Sequence, residues 1–170
     1  MSIETHGDGT LTSPGARVLS AAGPAPAGAR VAVVVSRYHS HVTQRLLDGA
    51  LAAAAARGVE VDVVHAPGAF ELGLLSLEAA RSGRYLGVAA LGCVIRGETS
   101  HYDYVCSESA RGVLRAGLET GIPVAFGVVT TETPEQAFAR AGGTAGNKGA
   151  EAVDTALDAA AALAAIRAPH

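Results

Sequence analysis

The sequence predicts an α/β fold, a flavodoxin-like three-layer sandwich whose helices cover both faces of a central four-stranded parallel sheet. Strand-like and helix-like runs alternate along most of the chain, a pattern typical of parallel sheets with helical crossovers. Several strand-like runs are continuously apolar, as expected for strands covered on both faces. The chain has 170 residues, 49% hydrophobic and 17% charged, which is enough for one domain with a substantial core.

The first half of the domain begins with a β-branched run, Arg30 to Ser36, that predicts the first strand. Apolar residues then recur at helical spacing from Val42 to Leu51, and Gly58 is expected to end that helix. The next predicted elements are a second strand (Val59 to Ala66), a second helix (Glu71 to Arg81) and a third strand (Tyr85 to Ile95).

A third helix is predicted from about His101 to Gly121. Its expected buried face consists of Tyr102, Val105, Cys106, Val113, Leu114 and Leu118. Pro123 to Thr131 predicts the fourth strand. A short helix should follow, because Thr133 and Gln136 have the spacing of a capping box and Pro134 suits the first helical position. The last predicted helix is Ala-rich and runs from about Gly149 to Ile166.

The segment before Arg30 is rich in Gly, Pro, Ser and Thr without periodicity. We therefore expect a flexible N-terminal arm over residues 1–29 and one domain over residues 30–170. Within the arm, Arg17 to Ser20 could extend the sheet as a short edge strand. The arm contains no apolar run suited to a signal peptide or a membrane span, so no membrane partner is expected.

Composition excludes some classes of function. The formal net charge is −3 and no basic stripe carries interleaved aromatics, which argues against a nucleic-acid partner. The two cysteines, Cys93 and Cys106, fall in predicted strand and helix and indicate a reducing, cytoplasmic location. No spacing of His, Cys and carboxylates resembles a metal site, so no metal is expected. The low charge and many small apolar residues favour a homo-oligomer.

Polar segments follow the predicted strands at the edge where such sheets bind ligands, the carboxyl ends of the strands. They are "SRYHSH", "APGAFE", "IRGETSH" and "TTETPEQ". The segment "RGETSH" combines a glycine, hydroxyls and a helix N-terminus, which favours an anion such as phosphate. The alternative is helix capping alone, because Ser100 and Asp103 also fit a capping box, with Arg96 and Glu98 as solvated charges.

Other residues at this edge have two interpretations each. His101 suits proton transfer near neutral pH, or it is a surface histidine at a helix end. Glu71 could bind a polyol or complement a helix dipole. Tyr38 could stack on a flat heterocycle or be a loop tyrosine without function, and Phe70 could be core. The glycine-rich loop after Arg140 lacks the P-loop pattern, so it predicts no nucleotide site.

Four segments together resemble the 6,7-dimethyl-8-ribityllumazine synthase family of riboflavin biosynthesis. They are "PGAFEL", "LGCVIRGETSHYDYVC", "PVAFGVVTTETPEQAFARAGG" and "GNKGAEA", and the resemblance runs from about Arg30 to Leu163. It implies a transferase that joins 5-amino-6-ribitylamino-uracil to 3,4-dihydroxy-2-butanone 4-phosphate, releasing phosphate and water in the penultimate step of the pathway. It also implies that no cofactor is used.

The resemblance assigns a role to fourteen residues. It makes Tyr38 the ring that stacks on the pyrimidine and His101 the residue that transfers protons. It places the ribityl chain on Ala69, Phe70 and Glu71, and the pyrimidine on the backbone of Cys93, Val94 and Ile95. The phosphate falls to Gly97, Glu98, Thr99 and the clamp Arg140. Phe126 would cover the pyrimidine, and Lys148 would lie near the site.

The family also implies an assembly. Its members form pentamers, and some assemble these into decamers or sixty-subunit icosahedral shells. The short "GGTAGNKG" turn resembles that of the shell-forming members. The site lies between subunits, with Phe126, Arg140 and Lys148 expected from one chain and the rest from its neighbour. Riboflavin synthase is a further partner that the resemblance implies.

The chain departs from the family pattern at three positions. Gly73 replaces a usual proline and should relax the start of the second helix, Tyr38 replaces the commoner Phe or Trp, and His39 stands where Asn or His is found. A binding or shell-forming protein without turnover is the alternative function, and an unrelated phosphate-binding domain is a more distant one.

Overall fold

A single parallel sheet organises the structure, a computed structural model that describes residues 12–19 and 25–169. Its four strands lie in the order β2-β1-β3-β4. They are β1 (Arg30–Ser36), β2 (Glu60–Ala66), β3 (Gly87–Ile95) and β4 (Val124–Thr131). The predicted flavodoxin-like architecture is confirmed. The described residues 17–19 lie in no strand, and Ser20 lies outside the described residues.

Helices cover both faces of the sheet. On one face α1 (Ser40–Ala56) packs beside α5 (Lys148–Arg167), and on the other α2 (Leu72–Arg81) packs beside α3 (His101–Thr120). Because side chains alternate along a strand, Val31 and Val33 of β1 enter the first core while Ala32 enters the second. This double burial explains why the strand is continuously apolar.

The helix ends are close to where the sequence places them. Gly121 ends α3 with φ 66°, and Gly58 follows α1 with φ 69°, both in the left-handed region that suits glycine. The short helix α4 (Pro134–Ala139) starts with Thr133 Oγ1 accepting from the Gln136 backbone N at 3.3 Å. An antiparallel pair that the sequence did not predict, β5 (Ala141–Gly143) and β6 (Gly146–Asn147), then leads into α5.

The predicted buried face of α3 is partly wrong. Ser109, Val113 and Ala116 are buried, whereas Leu114 and Leu118 are 64% and 77% exposed. The helix is apolar on more than one side, and only the stripe containing Val113 faces the sheet. Two large leucines therefore remain uncovered in the single chain.

In each helix layer, the two helices cross at a glycine. A Cβ on Gly149 would lie 1.9 Å from the Leu46 carbonyl oxygen, so the start of α5 can rest on α1 only with glycine there. Asn147 caps α5 by accepting from the backbone N atoms of Gly149 and Ala150, and its Nδ2 donates to the Arg45 carbonyl at 2.9 Å. The "GNKG" segment thus locks α5 onto α1.

Gly73 has a packing role that the sequence did not reveal. It is the second residue of α2 and is buried, and a Cβ there would lie 2.7 Å from the Gly112 Cα of α3. This contact is a role of Gly73 in addition to the expected relaxation of the helix start, which stays a prediction. The glycine lets the two helix backbones approach closely. Within the described residues, no helix has the length and apolarity needed to cross a membrane.

Candidate functional site

A cleft of about 630 Å³ opens at the carboxyl end of the sheet. The strand order places β1 between β2 and β3: the chain moves one way from β1 to β2 and then reverses to reach β3, so the helices that follow β1 and β3 lie on opposite faces of the sheet. Sheets of this type bind ligands at such a switch point, because the loops there diverge and leave a crevice. The cleft lies at this position, between the loop that follows β1 and the end of β3.

Ten of the fourteen predicted site residues line this one cleft. They are Tyr38, Ala69, Phe70, Glu71, Cys93, Val94, Ile95, Gly97, Thr99 and His101. Glu98 is exposed in the same turn but does not line the cleft, and the other three lie elsewhere. The structure therefore brings together segments that are more than sixty residues apart in the chain.

The end of β3 offers an open backbone edge to the cleft. Its pairing with β1 runs only to Leu91, whereas its pairing with β4 continues to Ile95. The backbone of Cys93 to Ile95 is thus held in place by β4 on one side and turned toward the cleft on the other. A rigid strand edge of this kind can form in-plane hydrogen bonds with a flat ligand.

An aromatic ring and a carboxylate line the same cleft as this edge. Tyr38 is 70% exposed at the cleft, and Glu71 ends a 3₁₀ turn (Ala69–Glu71) that leads into α2. A Cβ on Gly68 would lie 3.2 Å from the Tyr38 ring and 3.1 Å from Glu71 Oε2. Gly68 therefore leaves the room that the ring and the carboxylate occupy, one suited to stacking and the other to accepting hydroxyl donors.

The turn from Gly97 to Ser100 connects β3 to the N-terminus of α3. The proposed capping box is wrong: Ser100 makes no side-chain cap hydrogen bond, and Asp103 pairs instead with Arg96. The His101 backbone N donates to Thr99 Oγ1 at a long 3.4 Å. The N-terminus of α3 therefore faces the cleft without the cap that Ser100 and Asp103 were expected to form. The positive end of the helix dipole favours an anion there.

His101 is the first residue of α3, exposed and lining the cleft. It follows the turn suited to a phosphate, and it lines the same cleft as Tyr38 and the strand edge suited to a ring. A histidine in this position can donate or accept a proton for a group bound in either region. The geometry is compatible with the predicted role.

Four further residues line the cleft that the prediction did not include: His39, Gly68, Tyr102 and Val105. His39 has φ 55° and ψ 49°, a left-handed conformation uncommon for a residue with a side chain. No sequence pattern announces that conformation. Tyr102 and Val105 fit the helical period, and for that reason the sequence assigned them to a buried face.

Three predicted residues lie away from the cleft of their own chain. Phe126 pairs with Ala90, four residues before the level of Val94, or about 13 Å along the strand. Arg140 ends α4, and its carbonyl accepts from the Lys148 backbone N at 2.9 Å, so these two cations are neighbours. Lys148 Nζ pairs with Glu151 at 2.6 Å. The backbones of Arg140 and Lys148 are thus adjacent, and neither residue lines the cleft.

Cys93 contributes packing and backbone rather than a reactive thiol. Its side chain is buried among the residues of the α1–α5 core, and burial raises the pKa of the thiol from 9.0 to about 11. The thiol therefore stays protonated at neutral pH, where nucleophilic chemistry would need the thiolate. In the described residues both cysteines are free, and no group of three or more His, Cys, Asp and Glu could hold a metal ion.

The raised pKa of Cys93 predicts a pH effect on stability. The contribution of the protonated thiol is fully present below the unfolded pKa of 9.0 and is lost as the pH rises through about 11. Between pH 8 and pH 10, the free energy of unfolding should fall by about 1 kcal/mol more in the wild type than in Cys93→Ala. Urea titrations at both pH values measure this, and equal falls would contradict the buried protonated state.

Comparison with known families agrees with this geometry. A family model described as 6,7-dimethyl-8-ribityllumazine synthase matches residues 28–164, which includes every strand, every helix except the last three residues of α5, and all fourteen predicted site residues. The match extends over most of the chain and confirms the resemblance found in the sequence.

Proposed function

Since this chain belongs to the 6,7-dimethyl-8-ribityllumazine synthase family, we propose that it catalyses the reaction of that family. It would condense 5-amino-6-ribitylamino-uracil with 3,4-dihydroxy-2-butanone 4-phosphate and release phosphate and water. The reaction would use no cofactor, and it would take place in the cytoplasm, in keeping with the two free thiols.

The observation that carries this proposal is the composition of the cleft at the carboxyl end of the sheet. It combines an exposed aromatic ring, an open strand edge, a carboxylate and a helix N-terminus preceded by a glycine turn. These groups match the parts of the two substrates. Tyr38 would stack on the pyrimidine, the edge from Cys93 to Ile95 would bind its polar rim, and Glu71 would accept the ribityl hydroxyls.

The second substrate would occupy the other half of the cleft. Its phosphate would lie on the turn formed by Gly97, Glu98 and Thr99, where the helix dipole favours an anion. His101 would then stand beside the reacting carbon atoms. Schiff-base formation, phosphate elimination and ring closure each move protons, and a histidine can serve all three. Orientation of the two substrates would supply most of the rate enhancement.

A neighbouring subunit would complete the site. Phe126, Arg140 and Lys148 do not line the cleft of their own chain, yet the family reaction needs a cation on the phosphate and a cover over the pyrimidine. Exposed apolar side chains on α2 and α3 support an assembly in which they are buried. These side chains include Leu74 (64% exposed), Tyr104 (66%), Leu114 (64%) and Leu118 (77%). We infer a pentamer as the basic unit.

The proposed function is tested by turnover. The assembled protein should produce lumazine absorbance and free phosphate from the two substrates at a rate far above the uncatalysed background. The same measurement distinguishes the enzyme from the alternative, a binding protein without turnover. Binding of a lumazine or flavin without any product above background would show a binding protein of the same fold.

Arg140→Ala is expected to raise the KM of the butanone phosphate by about 10-fold or more and to change the KM of the pyrimidine little. The reason is that a guanidinium forms paired, charge-assisted hydrogen bonds with a phosphate, worth about 1.5–3 kcal/mol. Steady-state kinetics with each substrate varied in turn measures both constants. Equal increases in the two KM values would remove Arg140 from the phosphate site.

A further inference from the structure

Arg96 joins three elements at the rim of the cleft. It follows the last residue of β3, and its backbone N donates to the Thr131 carbonyl of β4 at 2.9 Å. Its side chain lies between two carboxylates: Nε is 2.8 Å from Glu132 Oε2, and Nη2 is 3.1 Å from Asp103 Oδ1. The charge of Arg96 is therefore not a merely solvated one.

The guanidinium also packs on an aromatic ring. Its central carbon is 4.1 Å from the centroid of the Tyr102 ring, within the range of a cation–π contact. Asp103 and Tyr102 both belong to the first turn of α3, and Glu132 follows β4. A planar fork is needed to contact two carboxylates and a ring at once, and lysine cannot reproduce that geometry.

These contacts hold the segment that carries the predicted chemistry. The turn from Gly97 to Ser100 runs between Arg96 and His101. Its helical end is held by the contacts of Arg96 with Tyr102 and Asp103. Ser100 provides no side-chain cap there. The contacts of Arg96 with Tyr102, Asp103 and Glu132 therefore join the first turn of α3, where His101 lies, to the end of β4.

We propose that Arg96 is a positioning residue that sets His101 and the 97–100 turn in their working orientation through Glu132, Asp103 and Tyr102. This inference rests on the proposed function, because the working orientation is the one in which His101 and the turn act on the two substrates. Exposed ion pairs contribute little to stability, about 0–1 kcal/mol each. A catalytic group that shifts by about 1 Å can nevertheless cost on the order of 100-fold in rate. The effect is therefore on kcat and not on folding.

The competing role for Arg96 is that of a direct phosphate ligand. Two of its donor nitrogens already bind carboxylates, and those carboxylates would also repel an approaching phosphate. The two roles differ in their kinetics. A phosphate ligand affects the KM of the butanone phosphate and is partly replaced by lysine, whereas a positioning residue affects kcat and depends on its carboxylate partners.

The experiment compares Arg96→Met, Arg96→Lys, Glu132→Gln and the double variant Arg96→Met/Glu132→Gln in the assembled protein. Each single variant should lower kcat by about 10-fold with the butanone phosphate KM within twofold, and the double variant should be no worse than the poorer single one. Arg111→Met, which breaks only an exposed pair with Glu108 on α3, is the control and should keep kcat unchanged.

Amide hydrogen exchange over residues 97–104 gives a readout that needs no turnover. Exchange should become faster in Arg96→Met and Glu132→Gln, and not in Arg111→Met. Unchanged kcat and exchange in an active protein would overturn the inference and leave the proposed function standing. Losses in kcat that add up in the double variant would also overturn the inference. So would an increase in the butanone phosphate KM of Arg96→Met that is absent in Arg96→Lys. If the wild type were inactive and amide exchange were still faster in the variants, the proposed function would be overturned, and the structural role of the Arg96 contacts would stand.

Discussion

His101→Ala is expected to lower kcat by about 100-fold and to leave the stability of the fold unchanged within about 0.5 kcal/mol. The imidazole is exposed at the first residue of α3 and lines the cleft, so its removal breaks no core packing. The loss reflects proton transfers that water must then perform. The remaining rate enhancement comes from holding the two substrates together, which the other cleft residues still do.

Steady-state kinetics and urea unfolding test this expectation together. His41→Ala is the matched control, because His41 is also exposed near the start of a helix but does not line the cleft. It should keep the wild-type kcat. A His101→Ala protein with kcat within twofold of the wild type would exclude His101 as a proton-transfer residue.

Gly149→Ala is expected to destabilise the protein by about 3 kcal/mol or more. The added Cβ would overlap the Leu46 carbonyl oxygen of α1, and a backbone atom cannot move aside as a flexible side chain can. Relief requires α5 to shift away from α1, which would strain the Asn147 cap and its hydrogen bond to Arg45. Lys148 belongs to the same segment, so its position would shift as well.

Gly117→Ala in α3 is the matched control for this substitution. Its Cβ would meet the Ile122 carbonyl at an ordinary 3.4 Å, and alanine gains about 1 kcal/mol of helix propensity over glycine. Urea unfolding at one fixed subunit concentration compares the three proteins. If Gly149→Ala were as stable as Gly117→Ala, the close contact between α5 and α1 would be absent in solution.

The sheet was predictable from the sequence because burial and pattern agree there. The run from Val31 to Val35 contains no polar residue, and both faces of β1 are in fact covered by helices. Gly58 and Gly121 end their helices because a left-handed residue is needed at each place. Such signals are local, and a single sequence contains them.

The packing within and between helices was not predictable in the same way. Leu114 and Leu118 look like core residues by type, but which side of α3 meets the sheet depends on where the helix lies. Gly73 and Gly149 look like flexible positions, and only the crossing of two helices shows that each is required by close contact. Such contacts join residues far apart in the chain.

The site was partly predictable for a related reason. The polar segments after the strands could be placed at one edge of the sheet, and ten of the predicted residues do share a cleft there. The capping role given to Ser100 and Asp103 failed because Ser100 has helical backbone angles in place of the extended ones of a capping residue, and Asp103 pairs with Arg96. The left-handed His39 and the stacking of Arg96 on Tyr102 depend on tertiary contacts that no local pattern shows.

In the proposed assembly, one active site combines the cleft of one subunit with Arg140 of its neighbour. Mixing His101→Ala and Arg140→Ala subunits during reassembly tests it, with butanone phosphate at a concentration that does not saturate Arg140→Ala. A random ring places an intact cleft beside an intact Arg140 at about one interface in four, so about a quarter of wild-type activity should return. Activity equal to the average of the two separate variants would contradict the shared site and place both residues in the same chain's site.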